Sequence, residues 1–444
     1  MPKVIKIKKG LDIPITGRVS GKETRDTSTD LFGIVPDDFT GYKWKCGVKP
    51  GDTVKAGDPL LYAKEDENIK LVSPADGTVA DVHRGERRKI EYVSVKGTPA
   101  LAVPGKPAAK SREDILETLK KSGLFAMLRQ RPFDMVPFMP QTPRDIFVTA
   151  FDTAPLASVM LDGEVRIYLE AGLEILKKLT DGHVYLSVPD GVEVKSNVAD
   201  VVAFQGPHPA GNVGTQIASI APVNKGEVVW TLDAVTAARI GRYFAKGELD
   251  FSARVALTGP EVKDPHVIAT TIGAAVAPLV KGQIKDDDSN KRIISGNVLT
   301  GKRVKAEDGF LRYPYRQITV IQEGDQADEF MGWASLDPHK YSVRGTFPTF
   351  LKGLGKGFNF DARIRGGHRA MIMNNEYERV FPMDIYPEYL IKAILAKDID
   401  RMEKLGIYEV APEDFALPEF VDTSKLELQK IVADGLDYLR QETI

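Results

Sequence analysis

The chain has 444 residues, with 60 Lys plus Arg against 62 Asp plus Glu and a net charge of −2. Hydrophobic content of 43% and charged content of 27% suit a globular protein with a real core, and roughly 150 residues per domain predicts about three domains. There is no positive excess to draw nucleic acid or anionic lipid, and the one cysteine, Cys46, excludes an intrachain disulfide framework or a Cys-ligated zinc or iron–sulfur site made by this chain alone.

The opening MPKVIKIKKGLDIPITG has no apolar core of signal-peptide length. No run reaches the roughly 20 apolar residues of a membrane span; Ile272 to Val280 is among the longest, and Lys281 closes it. A reducing cytoplasm is expected, with any work at a membrane done from the side.

Short apolar runs broken by glycine and proline fill the first hundred residues, as at Gly51-Asp52, Gly57-Asp58-Pro59 and Pro74-Ala75-Asp76-Gly77. That composition predicts strands and turns. Val48 to Ala63 and Val72 to Ile90 are expected to form two halves of a small sandwich, joined by an acidic, solvated hairpin. The pattern V-x-x-G-D-x-V-x-x-G-D-x-L followed by S-P-x-x-G-x-V resembles biotinyl and lipoyl carrier domains, which bear their cofactor on a lysine at the hairpin tip. Here the tip reads Lys64-Glu65-Asp66-Glu67-Asn68, and the carrier position falls near Glu67. A sandwich used for docking is favoured over a carrier of biotin or lipoate.

Pro104-Gly105-Lys106-Pro107 marks a boundary, after which Ser111 and Asp114 form a helix N-cap signature ahead of Ile115, Leu116 and Leu119. The run Phe125 to Met139 holds three Phe and three Met, broken by Pro132 and Pro137, so no regular helix passes through it. Exposed, adaptable apolar surface for a partner or a flat ligand competes here with plain core packing. Next, Asp145 to Ala150 predicts a buried strand, Val165 to Leu179 an amphipathic helix, and His183 to Val188 a second strand. Strand, helix, strand alternation predicts a parallel α/β sheet. Gly206-Pro207-His208-Pro209-Ala210-Gly211-Asn212-Val213-Gly214-Thr215 is glycine-rich, yet its two prolines remove amide donors and it matches neither dinucleotide nor P-loop spacing. A rigid turn is favoured there over a phosphate cradle.

Asp233 to Lys246 predicts another helix, with Val235, Ile240, Tyr243 and Phe244 on its apolar side. Short strands follow at Arg254 to Gly259, Arg292 to Gly296 and Gln317 to Ile321, then a glycine-rich turn at Gly353 to Gly357. Helices are expected at Ile385 to Lys397, Ile399 to Leu405 and Leu426 to Glu442. The histidines His83, His183, His208, His266, His339 and His368 lack metal-ligand spacing, and no metal site is expected. The turn Gly366-Gly367-His368-Arg369 could bind an anion, but a structural turn is favoured.

Several segments, in fixed order, resemble the A subunit of the bacterial sodium-translocating NADH:quinone reductase: Ile7 to Gly17, Gly206 to Thr215, Gly259-Pro260-Glu261-Val262-Lys263-Asp264-Pro265, Ile294 to Gly301, and Gly366 to Met371 with Tyr377-Glu378-Arg379-Val380. The resemblance implies a multidomain α/β and β protein sharing its fold with the flavin subunit of respiratory complex I and the C subunit of the Rnf complex. It implies a barrel-sandwich carrier-like unit without carrier lysine over 1–103 and a Rossmann-like α/β domain over 104–250. A small β-grasp (SLBB-like) domain over 251–330 follows, then a linker and a C-terminal helical domain lacking cluster cysteines over 331–444.

In those relatives a glycine-rich segment approaches the flavin phosphate; its counterpart here is Met127 to Phe133, with no glycine and two arginines. Phe151-Asp152-Thr153-Ala154-Pro155 replaces a neighbouring acidic motif, and Pro418 and Asp422 stand where relatives have cluster cysteines. Each scaffold is expected without its reactive group. The resemblance therefore implies a peripheral subunit on the cytoplasmic face of the inner membrane, docking the integral membrane subunits of a complex that passes electrons from NADH to a quinone such as ubiquinone and exports Na⁺. No catalytic or metal residue is assigned to this chain and no cofactor is expected on it; NADH, flavins, iron–sulfur and quinone are expected on other subunits. Phe125, Met127, Phe133, Met135 and Phe138 are the candidates for a quinone-proximal or partner-facing surface. The alternatives are a stand-alone flavin-dependent NADH dehydrogenase, an Rnf-type electron-transfer subunit, and a biotin or lipoate carrier.

Overall fold

Paired glycine–aspartate turns build the first unit. At Gly51 and Gly57 the backbone takes φ of +94° and +90°, which a side chain disfavours. The following aspartates then accept backbone N–H bonds from three residues back, Lys49 to Asp52 at 2.7 Å and Lys55 to Asp58 at 2.8 Å. These turns fold the chain into two small sheets facing each other. The computed structural model describes residues 3–138, 141–287, 289–305, 309–325, 336–345, 347–349 and 357–443.

The first strands are β1 (Lys3–Lys6), β2 (Glu23–Arg25), β3 (Leu31–Ile34), β4 (Trp44–Cys46) and β5 (Thr53–Val54). They continue with β6 (Pro59–Ala63), β7 (Lys70–Val72), β8 (Ala75–Arg84) and β9 (Ile90–Pro99). The sandwich comprises β3-β9-β8-β5 and β4-β6-β7, with Leu60, Leu61, Val79, Val93 and Val95 buried between them. The expected halves interleave, since β5 joins β8 while β6 joins β7. Residues 3–25 do not stay with this unit. Strand β1 pairs elsewhere, Ile13 packs in the C-terminal core, and β2 joins a third sheet.

The second unit runs α1 (Arg112–Lys121), β10 (Arg129–Arg131), β11 (Ile146–Thr149), α2 (Gly163–Lys177), β12 (Val184–Pro189), β13 (Asp200–Gln205), α3 (Val213–Ile220), β14 (Val229–Asp233) and α4 (Ala234–Lys246). Helix α1 starts as its sequence predicts: Ser111 accepts from the N–H of Asp114, and Asp114 accepts from the N–H of Ser111. The sheet order is β1-β13-β12-β11-β14-β10, parallel except for β10. The parallel α/β expectation thus holds, with an N-terminal edge strand and an antiparallel opposite edge added to it.

The third unit contains β15 (Ser252–Thr258), β16 (His266–Thr271), α5 (Val276–Val280), β17 (Lys291–Ser295), β18 (Lys302–Val304) and β19 (Gln317–Gln322), in the order β18-β17-β19-β15-β16-β2. Strand β16 escaped the sequence reading because it runs straight into the apolar stretch Ile272 to Val280, which blurs its end. The C-terminal part holds α6 (Tyr377–Val380), α7 (Pro387–Leu395), α8 (Ile399–Lys404), α9 (Ala416–Val421) and α10 (Leu428–Thr443). Leu390, Ile391, Val432, Leu436 and Leu439 are buried in its core. The short α6 and α9 were not predicted, being too brief to display a helical period. Most of the turn Gly353 to Gly357 lies outside the described residues.

Candidate functional site

At the hairpin between β6 and β7, the carrier position Glu67 is exposed along with Lys64, Glu65 and Asn68, so the tip is solvated as expected, but it is also tied down. Asp66 is bonded to Lys120 of α1 at 2.6 Å, and Ile69 is fully buried beside it. Burial pushes the Asp66 carboxyl up, but the bonds from Lys120 and Asn68 outweigh it and hold the group below the usual carboxylate range. The hairpin is thereby pinned to a helix of the next unit. Lys45 sits 3.9 Å from Glu67.

The second site forms where β13 leads into α3. The loop from Gly206 and the segment Phe151 to Pro155, far apart in sequence, meet there. Thr153 Oγ1 accepts the N–H of Gly211 at 2.9 Å and lies 3.2 Å from His208 Nδ1. Asp12 accepts the N–H of His208 at 2.9 Å, and the N–H of Leu11 donates to the His208 carbonyl at 2.8 Å. His208 is buried, and burial pushes its imidazole down despite Asp152 and Asp12. This is the rigid turn the two prolines predict.

Helix α3 then starts without a side-chain cap from Asn212. A carboxylate from the C-terminal unit packs against its first turn. A Cβ placed on Gly214 would lie 2.2 Å from Asp414 Oδ1, so only glycine lets Asp414 approach. Asp414 in turn bonds Arg131 of β10 at 2.6 Å, with Arg131 fully buried and the Asp414 side chain 2% exposed. Glu413 adds a second contact to Arg131 at 3.0 Å, and the Glu409 carbonyl accepts a third bond. Burial alone would lower the Arg131 pKa; Asp414, Asp134 and Glu413 instead hold it above its ordinary value. Burial and the neighbouring acids raise Glu413 against the pull of Arg131. A helix N-terminus with free amides is where a phosphate would be held. Here a carboxylate stands against that turn, so a phosphate would meet a negative charge; the residues present do not fit one.

In the third place, Pro418 lies inside α9 and Asp422 follows its end. Asp422 is buried and accepts the N–H groups of Ser424 at 3.1 Å and Leu426 at 2.8 Å. Burial and Asp422 push the Tyr377 hydroxyl well up. The turn Gly366 to Arg369 packs on this loop: the N–H of Arg369 donates to the Ser424 carbonyl at 2.9 Å, and His368 Nδ1 lies 2.9 Å from the Lys425 carbonyl. Among the described residues no group of three or more His, Cys, Asp or Glu is placed to hold a metal, and no helix is long and apolar enough to cross a membrane.

The run from Phe125 does not form the exposed apolar surface offered as one alternative. Phe125, Met127 and Met135 are buried. Phe125 meets Trp230 edge-on at 5.9 Å, and the Met127 carbonyl accepts the Tyr313 hydroxyl at 2.7 Å. The reason is that Arg129 to Arg131 add a strand to β14, and the turn beyond folds Met135 back so that its carbonyl accepts the N–H of Gln130. Phe133 and Phe138 are only partly covered: Phe133 packs on the C-terminal core and Phe138 stacks on Tyr42 at 6.2 Å. The five candidates therefore do not form one surface.

Three family models match the chain: the NqrA N-terminal barrel-sandwich hybrid domain over residues 5–98, the NqrA second alpha/beta domain over 110–249, and the NQRA C-terminal domain over 254–306. The A subunit of the Na(+)-translocating NADH-quinone reductase of Saccharophagus degradans is 35% identical, across 99% of this chain and 100% of that protein. Its counterparts from Neisseria meningitidis serogroup B and Klebsiella pneumoniae are 36% identical with the same coverage. This chain belongs to the NqrA family, the A subunits of Na⁺-translocating NADH-quinone reductases.

The residues of this NqrA family member that the sequence reading missed are Glu413 and Asp414. A signal was present: Pro412-Glu413-Asp414 has the proline-plus-acid composition of a helical first turn, and a 3₁₀ helix forms at Pro412–Phe415. What it could not announce was the partner, because Arg131 lies 283 positions away.

Proposed function

We propose that the chain is the peripheral docking subunit on the cytoplasmic face of the complex, and that it holds none of the redox groups itself. The complex couples electron flow from NADH to quinone to Na⁺ export. The observation that carries this reading is Asp414 packed against the first turn of α3 while paired with buried Arg131. An intramolecular ion pair stands beside the turn where an anion would be expected, which makes this junction a fastening between units. The tethered hairpin at Asp66 and the loop tied by Asp422 support the same reading. On this view the parallel sheet is a Rossmann-like relative of the complex I flavin subunit with its phosphate position closed, and the C-terminal helices are a cluster domain without its thiolates.

The test is a pull-down of the tagged chain from gently solubilised membranes of its own bacterium, assayed for Na⁺-stimulated NADH–quinone reduction. Activity arriving with membrane subunits, together with a colourless purified chain, is the expected result. A yellow chain that oxidises NADH alone would establish the flavin dehydrogenase instead.

A further inference from the structure

An open groove of about 490 Å³ lies on the barrel-sandwich unit, between β4 and the tip of the β8–β9 hairpin. One wall is the unbroken run Tyr42 to Cys46, and the other carries Arg84, Arg88 and Lys89. Three features of this groove bear on what fills it.

The first is charge. Lys43, Lys45, Arg84, Arg88 and Lys89 line the groove against one carboxylate, Asp37, which is already 2.7 Å from Lys89. In a chain of net charge −2, so local a positive excess marks a site for negative charge. Lysines flanking an end strand are a common guard against aggregation, and that accounts for Lys43 and Lys45. It does not account for the facing hairpin, where Arg87 and Arg88 both take left-handed backbone, φ 54° and 61°. Glycine would adopt that turn without strain, yet both positions carry arginine, and Arg88 lines the groove.

The second is the backbone. Strand β4 ends its sheet, and its bonds to β6 run through Lys43, Lys45 and Gly47. Alternation of antiparallel pairing then turns the N–H and C=O groups of Trp44 and Cys46 away from β6. An end strand with outward main-chain groups beside a groove is the arrangement that receives an extended peptide. The third is the apolar lining: Tyr42, Trp44 and Tyr62 are half-buried along it, with Lys45 lying 5.6 Å above the Tyr62 ring.

We propose that this groove docks an extended acidic segment of a partner subunit, laid along β4 with its carboxylates met by Lys43, Lys45, Arg84 and Arg88. The proposal rests on the docking-subunit reading above. Strand-like main-chain complementarity favours a peptide over a small planar anion, which would use the rings and cations alone.

Cys46, the only cysteine of the chain, lines the groove and reports on its occupancy. In the purified, active complex, maleimide alkylation of Cys46 is followed by peptide mass spectrometry. Occupancy at ten times Kd slows it about tenfold relative to the free chain. Benzophenone-maleimide attached to Cys46 of the free chain is then expected, after reassembly, to cross-link to an Asp/Glu-rich segment of a partner. The double variant Lys45→Glu with Arg88→Glu is expected to restore alkylation, whereas Lys121→Glu on α1 leaves protection intact. Should the double variant not assemble, a decaglutamate peptide is titrated against the free chains; equal binding to wild type and variant sinks the proposal. Equal alkylation of Cys46 in free chain and active complex also overturns it while leaving the docking-subunit reading standing. So does a cross-link to lipid or to a second copy, or protection of the free chain by adenosine monophosphate. If the wild-type chain brings down no partner at all, it is the docking-subunit reading that has failed.

Discussion

Arg131 carries the buried ion pairs between the α/β unit and the C-terminal helices. With its side chain fully buried and Asp414 2% exposed, removal of one partner strands the other charge, which costs about 3–5 kcal/mol. Arg131→Met is expected to lose that amount in urea unfolding. Pairing it with Asp414→Leu should recover most of the loss, because burying neither charge is close to neutral. The double variant still forfeits the bond from the Ala411 N–H to Asp414, a capping contribution of about 1 kcal/mol. Gly214→Ala makes the complementary case: its methyl would collide with the Asp414 carboxylate, so it should destabilise by about 1–3 kcal/mol. A double mutant with Asp414→Ala should have a smaller loss than the sum. The absence of glycine and the two arginines at Met127 to Phe133 were legible in the sequence; that one arginine would become the core of a junction was not, since nothing local selects its acid.

Among elements, the hairpin Lys64 to Asn68 shows how a solvated turn becomes a fixed one. Its acidity and its lack of a tip lysine were plain from the residues, and so was the capping box that starts α1 at Ser111. The contact between the two elements was not, because Lys120 looks like any other C-terminal helix lysine. The pair is mostly covered on both sides, yet still at the surface, so its loss is worth about 1 kcal/mol or less. Lys120→Ala is therefore expected to leave global stability nearly unchanged while speeding amide exchange at residues 65–69. Because the Asp66 pKa is lowered in the folded state from 3.8, the pair's contribution is complete above that pH. It fades as pH falls through the folded value. An acid titration of hairpin exchange should show this in wild type and not in Asp66→Asn. A flat profile in both would mean that the hairpin is held by Ile69 packing alone.

At the scale of the whole molecule, the N-terminal segment ties three units together. Strand β1 extends the parallel sheet by pairing with β13, and Ile7 is buried against that sheet's edge with Phe204. Ile13 enters the core of the C-terminal helices, Ile15 bridges to Phe358, and β2 closes the end of the third sheet on β16. A lysine-rich stretch thus threads three units, and its partners lie roughly 200 to more than 400 positions downstream, beyond the reach of any local periodicity. Burying an isoleucine contributes about 1.5–3 kcal/mol, so Ile7, Ile13 and Ile15 together are worth about 5–9 kcal/mol, comparable with the 5–15 kcal/mol by which a whole domain is stable. Deleting residues 1–25 should therefore do more than remove two edge strands. Hydrogen exchange is expected to rise across β13, β16 and the helices α7 and α10 together, whereas substituting the exposed Lys8 and Lys9 by serine should leave all three unchanged. If the deletion loosened β13 and β16 alone, the C-terminal helices would be standing on the Arg131–Asp414 junction without help from Ile13, and Arg131→Met would then be the variant that detaches them.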